Sequence, residues 1–248
     1  MRILLTNDDG IDSPGINLLA KGLRKSGHRV VVMAPVGDQS GVSHAISFLN
    51  GPCKVTQTGE DTWTCDGSPA DCVVVALLGG IPELNIEHEP FDLVVSGINR
   101  GANLGTDLVY SGTAAAARQG ALWNVPSLAL SLHEGEVWYW DMAVSFALER
   151  LEELRACWKP NSFVNVNIPN QQEKPLKIVH AFPSFRYYND SIDLYHTPDG
   201  RRYCFVNGGE ISAKPEQGSD WEAVMAHNAS LSEIYIHPLL LESVKGRE

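Results

Sequence analysis

Five short apolar runs alternate with four segments of helical period over the first 168 residues, and that alternation leaves the chain few ways to fold. The runs are Arg2 to Thr6, Val30 to Ala34, Phe91 to Ser96, Ser127 to Leu132 and Phe163 to Ile168. The first two are near-continuous in apolar residues, the pattern of strands covered on both faces. Between the first two runs, Ser13-Pro14 reads as an N-cap and first helical residue. Ile16, Leu19, Ala20 and Leu23 then fall at helical spacing until Gly27. Ser68-Pro69 caps a second helix, Ala70 to Leu78, and Thr113 to Leu122 and Met142 to Leu154 are the others. Strands alternating with crossover helices predict an α/β fold: a mostly parallel sheet with helices on both faces. Ligands of such sheets bind beyond the carboxyl ends of the strands. Loops 7–13, 35–45 and 97–112 are therefore expected at one edge.

The first of these loops supplies Asp8 and Asp9, the second Ser40, and the third Asn99 and Asn103. All are oxygen donors, which suits hard cations such as Mg²⁺, Mn²⁺ or Ca²⁺; Zn²⁺ normally recruits His or Cys. Asp8, Asp9, Ser40 and Asn99 as ligands would leave an octahedral ion open positions for water and a substrate oxygen, as metal-assisted hydrolysis requires. Taken alone, adjacent acids also fit a solvated turn. Next, Ser111, Gly112 and Thr113 open an alanine-rich helix whose free N–H groups suit a phosphate, with a plain N-cap as the alternative. Neither GxGxxG nor GxxxxGK[ST] occurs, so the dinucleotide and P-loop readings lack their motifs. The Asp8-Asp9 doublet also lacks the spacing of phosphatases with an aspartyl nucleophile. His44 reads as structural or as support for the site rather than as a base to Ser43. Trp138-Tyr139-Trp140 reads as a helix start packed on the sheet.

With 19 Lys and Arg against 30 Asp and Glu the net charge is −11, which argues against nucleic-acid polymers and anionic membranes as partners. Five scattered cysteines without CxxC fit reduced thiols. No run reaches the ~18 apolar residues of a membrane span, and no charged-then-apolar leader opens the chain. The expected location is cytoplasmic, so the N-x-S sites at Asn189 and Asn228 read as chance. A single domain over 1–248 is expected, with 183–215 as an extended β-hairpin arm turning at Asp199-Gly200 and 216–248 as a C-terminal segment. Tyr187, Tyr188, Tyr195, Tyr203 and Phe205 make the arm a candidate subunit contact; folding back on its own domain is the alternative.

LLTNDDGIDSPG, the AP…QSG loop, DGSPADCVVVAL, FDLVVSGINRGANLG and YSGTAAAARQGAL, in this order, resemble the SurE family of stationary-phase survival proteins. Weaker echoes follow in PDGRRYCFVNGG and EIYIHPL. The resemblance implies a Rossmann-like three-layer fold with a protruding arm and assembly as a homodimer or homotetramer. It also implies metal-dependent hydrolysis of nucleoside 5′- and 3′-monophosphates, with short polyphosphate as a further substrate of some relatives. It places one divalent ion per subunit on Asp8, Asp9, Ser40 and Asn99, and phosphate contacts on Ser111, Gly112 and Thr113 with Asn103 nearby. Asp8 or Asp9 is the candidate proton acceptor. The chain departs from the family at Val36-Gly37-Asp38, where an acidic-basic pair is usual, at His237 in place of Thr, and in a short tail after Pro238. Two rival readings are a non-catalytic metal-dependent nucleotide sensor and a structural oligomer whose acidic loop binds Ca²⁺. The open ligand positions and the Ser-Gly-Thr helix start favour an enzyme.

Overall fold

The computed structural model describes residues 1–79, 81–84, 88–175 and 177–238. Its first half runs β1 (Arg2–Thr6), α1 (Pro14–Lys25), β2 (Arg29–Pro35), β3 (Val55–Gly59), β4 (Thr62–Cys65), α2 (Pro69–Leu77) and β5 (Leu93–Arg100). There follow α3 (Gly112–Leu122), β6 (Ser127–Leu132), α4 (Trp140–Ala156), β7 (Ser162–Ile168) and β8 (Ile178–His180). The chain ends with β9 (Arg186–Tyr188), β10 (Ser191–His196), β11 (Arg202–Asn207), β12 (Ile211–Ala213), α5 (Asp220–Met225) and β13 (Ala229–Tyr235).

Nine strands form one sheet in the order β3-β4-β2-β1-β5-β6-β7-β13-β8. The five strands predicted from apolar runs are its contiguous centre, and all run parallel. β4 extends this set in parallel, whereas β3 and β13 pair antiparallel to β4 and β7. Strand alternation divides the core. Ile3, Leu5, Val30, Val32, Leu93 and Val95 face α1 and α4, while Leu4, Val31, Met33 and Val94 face α2 and Ala116 of α3. Burial of each large α1 side chain (Ile16, Leu19, Leu23) contributes roughly 1.5–3 kcal/mol. The crossovers β1→β2 and β6→β7 step in opposite directions across the sheet, yet α1 and α4 share a face. Their hands are therefore opposite, and one departs from the usual right-handed rule.

The arm consists of two small ribbons. β9 pairs with β12 at its root, and β10 with β11 beyond it, Tyr195 opposite Tyr203 and the turn at Gly200. Both strands of the outer ribbon are exposed along their whole length. After the arm, α5 leads into β13, which re-enters the main sheet between β7 and β8. Residues 239–248, where the short tail was expected, lie outside the described residues. Among the described residues no helix is long and apolar enough to cross a membrane.

Candidate functional site

Strand order reverses at β1: its crossover leads to β2 on one side, while β5 pairs on the other. That is the switch point at which open α/β sheets bind ligands. Asn7 shapes the turn there, its Nδ2 donating to Gly10 O and to Ser13 Oγ, each at 2.8 Å. Ser13 thus anchors the turn, and its side chain makes no cap bond to α1. The Gln39 N–H donates to Asp8 O (2.7 Å) and the Ser43 N–H to Tyr110 O (2.9 Å), which ties the second loop to both the first and the third. In β5 the register against β6 shifts between Ser96 and Asn99. Gly97 sits at φ +130°, and a Cβ there would lie 2.2 Å from Leu130 O, so only glycine makes this bulge. Bulges re-aim side chains, and Asn99 lines the cleft beyond.

That cleft has a volume of about 260 Å³ and is lined by Asp8, Ser40, Asn99, Asn103 and Ser111 among others. Asp8 is 3% exposed. The Thr113 N–H donates to its Oδ2 (3.0 Å) and the Thr113 hydroxyl to its Oδ1. Gly112 permits this approach, since a Cβ there would lie 2.8 Å from Asp8 Cβ. Gly112 and Thr113 therefore stand behind Asp8 rather than on the cleft wall. Asp9, partly buried beside Asp8 and not itself among the residues that line the cleft, accepts the Arg100 N–H at Oδ2 (3.0 Å). Asn99 Nδ2 donates to Gly101 O (2.8 Å), and its Oδ1 accepts no bond among the described residues. Ser40 Oγ donates to Asp38 Oδ1 (2.6 Å) and keeps its lone pairs.

Burial pushes the Asp8 carboxyl up, and burial together with the Asp8 charge raises Asp9 to about 6. Among the described residues no Lys, Arg or His forms an ion pair with either acid. The Arg100 charge lowers Asp9 only in part, and two crowded carboxylates held in no ion pair, beside a free amide oxygen and a hydroxyl, fit a hard divalent ion. A pH dependence follows. A carboxyl raised on folding leaves the native state holding the extra proton between the ordinary carboxylate range and about 6, so stability falls as pH rises through that window. In EDTA the melting temperature should therefore carry a contribution that declines from pH 4 towards pH 7, reduced in Asp9→Asn to what Asp8 alone supplies and removed by Mg²⁺ or Mn²⁺. Identical profiles for wild type and Asp9→Asn would refute it.

Asn103 is held from below. Its N–H donates to Asn167 Oδ1 (2.7 Å) and its Nδ2 to Ser131 Oγ (2.8 Å), while its carbonyl accepts from Asn165 and Asn167. Sequence reasoning passed over Asn165 and Asn167; the signal was asparagine alternating with valine in FVNVNI. It also passed over Asp107 and Glu134 on the cleft wall, read Tyr188 there as a subunit contact, and gave Tyr110 no role of its own. Tyr188 donates its hydroxyl to Asp107, whose Oδ2 lies 3.3 Å from Arg186 Nη1. The rings of Tyr110 and Tyr188 meet edge to face at 6.0 Å. His44 lies outside the lining, bonded through Nε2 to Gln119 Oε1 (2.8 Å), in keeping with a structural role. Trp138 and Trp140 stack at 5.4 Å against the α1–α4 core, as a packed helix start should.

Fold and site together define a doubly wound α/β protein with an oxygen-lined cleft at its switch point. The family described as Survival protein SurE matches residues 3–189. A relative from Kosmotoga olearia is 38% identical over 99% of both chains, and one from Geotalea daltonii is 37% identical over 95% of this chain and 93% of its own. Both are named 5′-nucleotidase SurE. The crystal structure of the SurE protein from Aquifex aeolicus superposes with a TM-score of 0.83 at 33% identity, covering 100% of this chain and 98% of the other. This chain belongs to the SurE family.

Proposed function

We propose that the chain is a divalent-metal-dependent phosphomonoesterase that hydrolyses nucleoside 5′-monophosphates, and 3′-monophosphates, to nucleoside and phosphate, with short polyphosphate as a further substrate. The 5′-nucleotidase name of its relatives supports the reaction class. The observation that carries the metal is the crowding of two carboxylates, Asp8 buried in the cleft opposite Ser111 and Asp9 partly buried beside it, with no ion pair to either among the described residues.

In this reading Asp8, Asp9, Ser40 and Asn99 hold the ion. When bound, it supplies positive charge for the phosphate oxygens and makes a water more acidic. The chain's own groups do the rest. Thr113 fixes the Asp8 carboxylate through two donors. Ser111 Oγ accepts the Ala114 N–H (2.9 Å) as a cap and still has its own O–H to donate to phosphate, so both readings of this serine hold together. The start of α3 adds the positive end of a helix dipole. Asp9 Oδ1, which accepts no hydrogen bond among the described residues, is the proposed acceptor of the attacking water's proton. Tyr110 and Tyr188 form an aromatic wall against which a nucleoside base can lie. Phosphoryl transfer asks for such positioning and charge neutralisation more than for covalent help. The exposed Tyr195, Tyr203 and Phe205 of the outer ribbon support a homodimer or homotetramer built through the arm.

The deciding experiment assays phosphate release from a panel of mononucleotides. EDTA should stop it, and Mg²⁺ or Mn²⁺ should restore it. Release indifferent to chelator would end the metal reading, and tight nucleotide binding without release would replace the enzyme with a sensor. Ser111→Ala should lower kcat/KM by the loss of one charge-assisted hydrogen bond, ~1.5–3 kcal/mol. The same change removes a cap worth about 1 kcal/mol of stability. A melting shift with unchanged kinetics would leave Ser111 as a cap alone.

A further inference from the structure

Away from the cleft, β3 and β4 bring together a group of a different chemistry. Val55 lies opposite Cys65 in this antiparallel pair, and the pairing continues: the Asp66 N–H donates to Lys54 O (3.1 Å) and the Lys54 N–H to Asp66 Oδ1 (2.6 Å). Cys53 is therefore the diagonal neighbour of Cys65 on the same face. One ligand atom from each of Cys53, Cys65 and Asp66 lies within 4.8 Å of the other two. The Cys72 thiol beside Cys65 draws the Cys65 thiol down to about 7, whereas burial raises Cys53 to about 11, so an ion seated here would have to displace the Cys53 proton to gain its thiolate, the form that ligates metals.

We propose that Cys53, Cys65 and Asp66 form a second metal site, for a thiophilic divalent ion such as Zn²⁺, distinct from the oxygen-lined cleft. Two thiolates and a carboxylate are a borderline-soft set, whereas the cleft offers only oxygen, so the two sites sort cations by type. Geometry favours an ion over a disulfide. Diagonal strand neighbours stand roughly 7–8 Å apart with their Cβ atoms somewhat closer, still wider than the separation of about 4 Å between Cβ atoms in a disulfide. Two metal–sulfur bonds of about 2.3 Å bridge the wider gap. Access is one-sided: Cys65 is buried, Cys53 half-buried and Asp66 exposed, so the ion keeps a position open to solvent. The consequence reaches the loop that carries Ser40. Its middle is already tied to α2, the Ser47 N–H donating to Asp71 Oδ2 (2.9 Å) and the Ser68 hydroxyl to Ala45 O (2.6 Å). A bound ion would pin Cys53 at its far end.

The test is a Cd²⁺ titration of the full chain, reduced with a phosphine and kept in excess Mg²⁺, following the thiolate-to-cadmium charge-transfer band. The band should saturate at one equivalent in the wild type and in Asp8→Asn. It should weaken in Asp66→Asn and require roughly tenfold more Cd²⁺, or vanish, in Cys53→Ser, whose position is half-buried enough to spare the fold. An equal band in Cys53→Ser, or none in the wild type, overturns the site. So does a loss of two titratable thiols on aerobic purification of the wild type but not of Cys53→Ser, which would mark a disulfide instead.

Discussion

Asp8→Asn is expected to lower phosphate release by roughly 10²–10³-fold or more while the fold stays intact. Asparagine matches aspartate in size and still offers an oxygen to the Thr113 N–H; the Thr113 hydroxyl can turn to accept from the new amide nitrogen. What disappears is a negative charge that burial opposes, that the two Thr113 donors offset in part, and that the proposed cation would balance. The melting temperature in EDTA near neutral pH should therefore hold steady or rise, since the native state no longer has to bury that charge. The rise produced by Mg²⁺ should vanish, because the ion loses a ligand. Catalysis and apo-stability moving apart in this way distinguish a metal ligand from a residue needed for folding. Asp9→Asn should move both readouts in the same directions. Near-wild-type turnover in either variant would remove these acids from the site.

The five central strands were legible because a strand covered on both faces must be apolar along its length, as Val30 to Ala34 is. The edges were not. β3 (VTQTG) is largely exposed and β8 is three residues long, so neither leaves a periodic signal. β13 (ASLSEIY) buries serines between strands, which hides it among polar segments. The convergence of Asp8, Ser40 and Asn99 was readable because topology alone sends the carboxyl ends of β1, β2 and β5 to one edge. The part played by Thr113 was not. A Ser-Gly-Thr helix start looks the same whether its donors face a phosphate or a carboxylate 105 residues away. Nor does any local pattern reveal that Tyr188, read from the sequence as an interface aromatic, reaches back to Asp107 on the cleft wall.

That contact sets up the second large effect. Asp107→Asn is expected to destabilise the chain by about 3–5 kcal/mol, read as a lower urea midpoint at unchanged slope. The Asp107–Arg186 pair is buried, with side chains 16% and 4% exposed. Burial raises the Asp107 carboxyl even though the Tyr188 hydroxyl and Arg186 pull it down, so the pair as a whole adds little to stability. Its halves are unequal, however. Arg186 Nε and Nη1 find no hydrogen-bond acceptor, and the guanidinium rests on the Trp221 ring 4.7 Å away. Its charge is balanced by Asp107 alone among the described residues, and a neutral asparagine leaves it stranded. Adding Arg186→Met to Asp107→Asn should therefore recover most of the loss, whereas Tyr188→Phe alone should cost only about 0.5–1.5 kcal/mol. If the double variant proves no more stable than Asp107→Asn, the stranded charge is not the cause. The capping of Leu104 by Asp107 (3.0 Å) would then carry the effect.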